Sequence, residues 1–325
     1  MPSPVKILIA HSVASQLQER MTVPHAITPI QEQSDAEMRE LLAGTDVLVS
    51  GLYKPEWKLT ATRRPLLVHS TGAGVDGIAF GSLPPASTVC NVYGHERGVA
   101  ERVFMHALAL QQGLLGLDRN LRRGNWTPQR AYLPELRDKH LLILGFGHIG
   151  RELVRWGKFL DMRVTVLTRT AKAGRDANLG LEAFGPLSAL HSQLPKADFV
   201  VIAIPSTTGT VDLINEVELK LMKSTAFIIN VGRGPVINED ALYAALRDRR
   251  IGGAGLDVWY RYPAPGQDGL PAIRPFQELD NVIMTPHKPT IETMEFRWGE
   301  IAANIARRAA GHPLLNVVWQ HAEQH

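Results

Sequence analysis

Three glycines in the run Gly145-Phe146-Gly147-His148-Ile149-Gly150 follow the aliphatic stretch 141–144. They precede residues 149–160, whose apolar side chains recur at helical spacing. A G-x-G-x-x-G placed at such a strand-to-helix turn suits the pyrophosphate of a dinucleotide. The first glycine lets the chain turn tightly, the second lets phosphate approach the backbone, and the third lets helix meet strand. Unpaired amides at the start of the helix favour the negative charge. All six residues are therefore assigned to a cofactor. Eighteen residues beyond Gly150, at the end of the next strand, stands Thr168, followed by Arg169 and Thr170, with Lys172 and Arg175 nearby. An NAD site normally carries a carboxylate at this strand end to accept from the ribose hydroxyls. Threonine does not repel a 2′-phosphate and arginine can fork onto it, so the position favours NADP over NAD. The plain alternative is a solvated basic loop.

The elements that must hold these residues alternate along the chain. Apolar strands are predicted at 5–10, 46–50, 66–70 and 88–91, with a helix over 34–43 ending at Gly44. This is an open α/β unit. One long helix over 97–117 follows, then a polar, proline-marked excursion over 118–137. Six more strands are predicted at 141–144, 164–167, 199–204, 226–231, 253–257 and 282–284, which is the complement of a doubly wound nucleotide domain. A helix over 238–249 lies among them, and 291–310 reads as a final amphipathic helix ending at Gly311 and Pro313. The loop 260–275 is rich in proline, glycine and charge and long for an α/β connection, and such loops are commonly functional.

Composition narrows the class. The 325 residues suit two domains, and 45% hydrophobic with 21% charged residues describes an ordinary globular protein. Net charge is +3 with no lysine/arginine block, so nothing points to nucleic acid. The single cysteine, Cys90, excludes an internal disulfide, suits a cytoplasmic setting and reads as a packed thiol. The N-terminal apolar run 5–10 is too short for a signal core. The uncharged run 103–117 is shorter than a membrane span and holds His106, Gln111 and Gln112, so a buried helix is expected. No constellation of metal ligands is read.

Further segments carry a family likeness. Asn230-Val231-Gly232-Arg233-Gly234, Gly255-Leu256-Asp257-Val258 and Thr285-Pro286-His287 close three successive strands, and His69-Ser70-Thr71-Gly72-Ala73-Gly74-Val75-Asp76 lies near the N-terminus. Together with the glycine motif, in this order over nearly the whole chain, they resemble the D-2-hydroxyacid dehydrogenase family. The resemblance implies a Rossmann domain, 100–288, inserted into a flavodoxin-like catalytic domain made of 1–99 and 289–325, with the active site in the cleft between them. It implies a dehydrogenase that interconverts a 2-keto acid and its D-2-hydroxy acid by hydride transfer with NADP or NAD. Arg233 would hold the substrate carboxylate and polarise the keto oxygen, as suits a permanently charged planar donor. His287 would exchange the proton. The amides around Ala73 and Gly74 would bind the other side of the carboxylate, and Asp257 would contact the nicotinamide carboxamide. Pro205, Ser206, Val231 and Gly232 would line the cofactor. The family also implies a homodimer, for which 118–137, with Trp126 and Tyr132, could supply an isologous contact or else cover its own subunit. Taken singly, Arg233 reads as a surface residue, His287 as a turn residue and Asp257 as a cap.

One departure stands out. Where the family places a glutamate five residues beyond the aspartate, to pair with the histidine, this chain has Tyr262. A phenol can hydrogen-bond an imidazole but is neutral at pH 7, so it does not favour imidazolium as a carboxylate does. Lys288 follows the histidine and either adds charge to the site or points into solvent. Alternatives are a dehydrogenase of another small anion, of the formate or phosphite type, and a nucleotide-sensing binding protein of the same fold.

Overall fold

The computed structural model describes residues 3–59, 65–126, 132–171, 179–264 and 266–320. The chain divides into two compact units, Met1–His95 with Pro289–His325, and Glu96–Lys288.

In the first unit, short strands β1 (Val5–Ala10), β2 (His25–Ile30), β3 (Val47–Val49), β5 (Leu67–His69) and β7 (Thr88–Cys90) pair in parallel, beside a two-residue pair, β4 (Leu52–Tyr53) and β6 (Gly77–Ile78). The helices threaded between them are α1 (Ala14–Gln18) and α2 (Asp35–Ala43). The latter starts at Ser34, whose hydroxyl accepts from the Glu37 amide while Glu37 reaches back to the Ser34 amide. That reciprocal cap satisfies two of the donors a helix start leaves open. A late segment of the chain completes this unit. Helix α9 (Ile291–Ala309) buries Trp298, Ile301 and Ile305 among Ile7, Ile9 and Val49, and β15 (Val317–Gln320) runs antiparallel along β7. The sheet order is β15-β7-β5-β3-β1-β2.

The second unit holds seven parallel strands: β8 (His140–Leu144), β9 (Arg163–Thr168), β10 (Ala183–Pro186), β11 (Phe199–Ile202), β12 (Phe227–Asn230), β13 (Gly253–Leu256) and β14 (Val282–Met284). Their order, β10-β9-β8-β11-β12-β13-β14, reverses direction between β8 and β11. Ligands of such sheets bind beyond the strand C-termini at that switch point. Burial on both faces explains the unbroken aliphatic strands, such as Leu141–Leu144, all within 2% exposure. Helices α3 (Glu96–Gln112), α4 (Leu114–Arg122), α5 (His148–Phe159), α6 (Leu190–Gln193), α7 (Glu216–Leu221) and α8 (Glu239–Arg247) complete it. Phe104 of α3 stacks on Trp156 of α5, 5.7 Å between ring centroids.

Two expectations change. The helix expected over 97–117 is two helices, because Gly113 takes a left-handed φ of 65° and starts a new one. The excursion expected from Asp118 is therefore helical as far as Arg122, held by an Asp118–Arg122 ion pair one turn apart. The seventh strand, β10, lies at the sheet edge and was not read from the sequence. Among the described residues no helix is long and apolar enough to cross a membrane.

Candidate active site

The glycine run sits between β8 and α5, as its spacing requires, and each glycine meets a different environment. Gly145 has φ 112°, and a Cβ there would lie 2.5 Å from the Ala203 carbonyl oxygen. At Gly150 a Cβ would fall 2.2 Å from the Gly145 oxygen, so the third glycine lets the turn close on itself. Around Gly147 there is nothing within 4 Å. That open space above the backbone is where a phosphate can approach, and α5 begins there with no side chain capping its amides. Phe146 is buried at 4% exposure beneath the turn, edge-on to Phe184, so only its backbone faces a ligand. His148 is an exposed side chain 3.8 Å from Glu96, and Ile149 packs against the core. These residues fit a dinucleotide. At the end of β9, Thr168 is half-buried, and Arg169 and Thr170 are exposed. Lys172 and Arg175 lie outside the described residues.

The neighbouring strand ends bring polar and charged side chains to the same edge. Beyond β11, Pro205 is exposed and its carbonyl accepts from the Thr210 hydroxyl at 2.7 Å. Beyond β12, Val231 and Gly232 are buried, and the Gly232 amide donates to Asn230 at 3.1 Å. Asn230 also donates to the Arg233 carbonyl at 2.9 Å, so one side chain shapes this turn from both ends. Arg233 stands half-buried, its guanidinium donating to the Gly232 carbonyl at 2.8 Å. Its flanking glycines admit no Cβ, since one at 232 would meet the Ile204 oxygen at 2.5 Å and one at 234 the Trp259 oxygen at 2.3 Å. Rigid backbone on both sides aims the arginine.

Asp257, just past β13, is 4% exposed and does not wait for a ligand alone. Its Oδ1 accepts from the Arg102 guanidinium at 2.9 Å, the Thr285 hydroxyl at 2.6 Å and the His287 amide at 3.2 Å. Arg102 also donates to the Lys288 carbonyl at 2.6 Å. The segment 285–288 is thereby tied down on both sides of His287, whose φ of 52° lies in the left-handed region. Few residues other than glycine enter it, so the surroundings must enforce it.

Tyr262 reaches that histidine. Its hydroxyl lies 3.0 Å from His287 Nδ1 and accepts from the Trp259 amide at 3.3 Å. On the neutral ring the phenol donates to Nδ1 and the imidazole proton sits on Nε2, whereas on the imidazolium the phenol oxygen accepts from Nδ1–H. Electrostatics favour the neutral ring. Burial lowers the His287 pKa below the ordinary imidazole value, and Arg233 and Arg102 lower it further against the opposing charge of Asp257. Burial also raises the Tyr262 pKa, partly offset by the Trp259 amide and Arg233, so the tyrosine stays a phenol near neutrality. Tyr262 as a whole is 56% exposed, with its hydroxyl turned to the histidine.

In the other unit, the turn 70–74 is fastened by one of its own side chains and by Asn91. The Ser70 hydroxyl donates to the Gly74 carbonyl at 2.8 Å and Asn91 donates to the Ala73 carbonyl at 2.9 Å. His69, buried beside it, accepts from the Asn304 amide at 2.9 Å, and burial drops its pKa to about 4, which keeps the ring neutral near pH 7. A cavity of about 600 Å³ opens at the opposite edge of the seven-stranded sheet, where Ser224, Thr225, Gly252 and Asn281 precede their strands. It lies away from Arg233 and His287. Sequence reasoning missed Arg102 and gave Thr285 no role, because neither sits in a local pattern that marks it: Arg102 acts across 155 and 186 residues of chain.

With this geometry in hand, likeness to known proteins is specific. Residues 104–288 match the NAD binding domain of the D-isomer specific 2-hydroxyacid dehydrogenases. The chain belongs to that family. It is 36% identical over 215 residues to a glyoxylate reductase of Pyrococcus furiosus, a match covering 63% of this chain and 61% of the relative. Over 97% of its length it is 29% identical to the D-3-phosphoglycerate dehydrogenase of Methanocaldococcus jannaschii, covering 59% of that protein. The matches thus span about three fifths of these relatives. Among solved structures, an acyclic imino acid reductase in complex with NADPH and D-Arg superposes with a TM-score of 0.79 at 25% identity, covering 97% of this chain and all of the other.

Proposed function

We propose that this chain reduces a small 2-keto acid of the glyoxylate class to the corresponding D-2-hydroxy acid, with NADPH preferred to NADH. The observation that carries the reading is the His287 corner, a histidine held at its backbone amide by Asp257 and at its ring by Tyr262, on the sheet edge that also bears Arg233 and the glycine turn. A nicotinamide cofactor, when bound, supplies the hydride. Arg233 binds the substrate carboxylate and withdraws electron density from the carbonyl, as a planar cation does well. In reduction the imidazolium of His287 delivers its Nε2 proton to the keto oxygen and is left as neutral imidazole, and in oxidation the neutral ring takes the proton back. Asp257 orients the histidine amide and would hold the carboxamide of the bound cofactor. Thr168 and Arg169 supply a strand end without the carboxylate that would repel a 2′-phosphate, and the imino acid reductase relative binds NADPH. The chain pairs as a homodimer through α3, α4 and the segment just after α4, where Leu108, Leu114, Leu115, Leu121 and Trp126 are exposed.

The test is a screen of glyoxylate and longer 2-keto acids, followed at the nicotinamide absorbance with both cofactors. Turnover of glyoxylate with NADPH and a D-configured product from the longer acids is expected. Tight cofactor binding with no turnover of any acid would turn the assignment toward a nucleotide sensor. One observation favours a second reading, reduction of an imine. A neutral imidazole paired to a phenol is a weak proton donor, and an iminium brings its own proton. Faster oxidation of NADPH by a keto acid plus methylamine than by the keto acid alone would decide for it.

A further inference from the structure

Helix α3 lies outside every motif named so far, yet it projects two side chains, one turn apart, at the His287 corner. Arg102, with only 17% of its side chain exposed, forks between Asp257 Oδ1 at 2.9 Å and the Lys288 carbonyl at 2.6 Å. His106, fully buried, places Nε2 3.4 Å from the Thr285 hydroxyl, which itself donates to Asp257 at 2.6 Å. Burial drops the His106 pKa to about 4, so it is neutral and acts as a donor through Nε2. The helix thus grips residues 285–288 before and after the histidine, through the carboxylate that also receives the His287 amide.

We propose that Arg102 is the positioning residue of the acid–base step: it locks His287 in its left-handed backbone and sets the imidazole against the substrate oxygen. This rests on the reading of His287 as the acid–base group. The fork geometry is what only arginine provides, because two of its nitrogens reach two acceptors in one plane, whereas lysine has a single ammonium. Where the family uses a glutamate to hold the histidine through its ring, this chain carries a neutral phenol at that point and adds a cation behind the backbone. The charged and titratable groups facing His287 are Asp257, Arg233, Arg102 and Tyr262. Of these, Arg102 is buried against Asp257 and works through it.

Two separable consequences follow. Geometric loss lowers kcat, since displacement of a reacting group by about 1 Å can cost about 10²-fold. Charge loss raises the imidazole pKa, since a nearby cation disfavours imidazolium. Arg102→Met removes both contributions, and Arg102→Lys keeps the charge but not the fork. The experiment is a pH–rate profile of kcat and of kcat/KM for glyoxylate reduction by the wild-type full-length enzyme, both variants and His287→Ala. It is paired with NMR titration of ¹³C-labelled histidines without substrate, His287→Ala identifying the resonance. Expected are a kcat about 10²-fold lower in Arg102→Met with the descending limb and the His287 titration moved up by about 0.5–1 pH unit. Arg102→Lys should lose about 10-fold in kcat with an unmoved limb, and NADPH affinity should hold in both. A merely structural arginine would lower the fraction of active enzyme without moving limb or titration. Should Arg102→Met not fold, the lysine variant decides: kcat reduced per NADPH-binding site, with the sites counted by titration, supports the assignment, and wild-type kcat per site overturns it. An inactive His287→Ala beside Arg102 variants of wild-type rate would overturn this proposal alone. A fully active His287→Ala would overturn the acid–base reading together with it.

Discussion

The glycine turn at 145–150 and the His287 corner lie on the same edge of one sheet and are built by opposite means. The turn is made of backbone: Gly145 and Gly150 are required by the Ala203 and Gly145 carbonyls, and what the turn offers a ligand at Gly147 is amides and empty space. The corner is made of side chains that converge from α3, from the ends of β13 and β14 and from the loop that carries Tyr262. Backbone sites are written in consecutive residues, whereas side-chain sites are written in contacts separated by a hundred residues or more. The difference also predicts how each fails under mutation.

The corner should fail by chemistry. His287→Ala should lower keto-acid reduction by about 10²–10⁴-fold while cofactor affinity stays near wild type, because the substitution removes a proton donor only. Arg233→Ala should raise KM and lower kcat together, since one cation serves the bound substrate and the developing charge. Steady-state kinetics beside a fluorescence titration of NADPH separate these outcomes, and near-normal kinetics in either variant would remove the corner from the mechanism.

The turn should fail by fit, and its glycines should differ. Gly150→Ala forces a methyl against the Gly145 oxygen and should destabilise the protein by about 1–3 kcal/mol, seen as a lower Tm. Gly147→Ala enters open space and should leave Tm unchanged while weakening NADPH binding, because the volume it fills belongs to the phosphate. Equal Tm losses in the two variants would contradict the cradle. Arg169→Ala is a milder probe of the same site. It should erode the preference for NADPH by about tenfold, the worth of roughly one charge-assisted contact, and leave NADH kinetics alone.

Tyr262 offers the smallest effect and the sharpest distinction. Reduction consumes imidazolium, so it should fade as pH rises through a His287 pKa held below the ordinary value by burial and two arginines. Oxidation needs the neutral ring and should persist. Tyr262→Glu places an anion on Nδ1 and should move the reductive limb upward. Tyr262→Phe should cost only a few-fold, the scale of about 1 kcal/mol for a neutral hydrogen bond. A limb that stays put in the glutamate variant would mean that residue 262 does not set the protonation of His287.

Legibility in the sequence followed burial and distance. The strands expected at 141–144 and 282–284 coincide with observed ones to within a residue. The longer strands missed, β2, β10 and β15, all lie at sheet edges. There one side is solvated and proline is tolerated, as at Pro29 and Pro186, so the apolar signal is weak. The helix over 97–117 ran past Gly113 because a lone glycine inside an apolar pattern does not announce a left-handed turn. At the site, the motif glycines, Arg233 and His287 were readable from strand ends. Tyr262 stood out by substitution for an acid, but that its hydroxyl lies on Nδ1 needed coordinates. Arg102 had no local signature at all.

His287 spends conformational energy to stand where it does. A left-handed residue with a side chain costs about 1–2 kcal/mol that glycine escapes. His287→Gly should therefore melt no lower than wild type although it has lost the reactive ring, a direct trade of durability against activity at one position. The same substitution leaves a vacancy beside the Tyr262 hydroxyl, into which free imidazole added to the buffer could lodge and restore part of the lost rate.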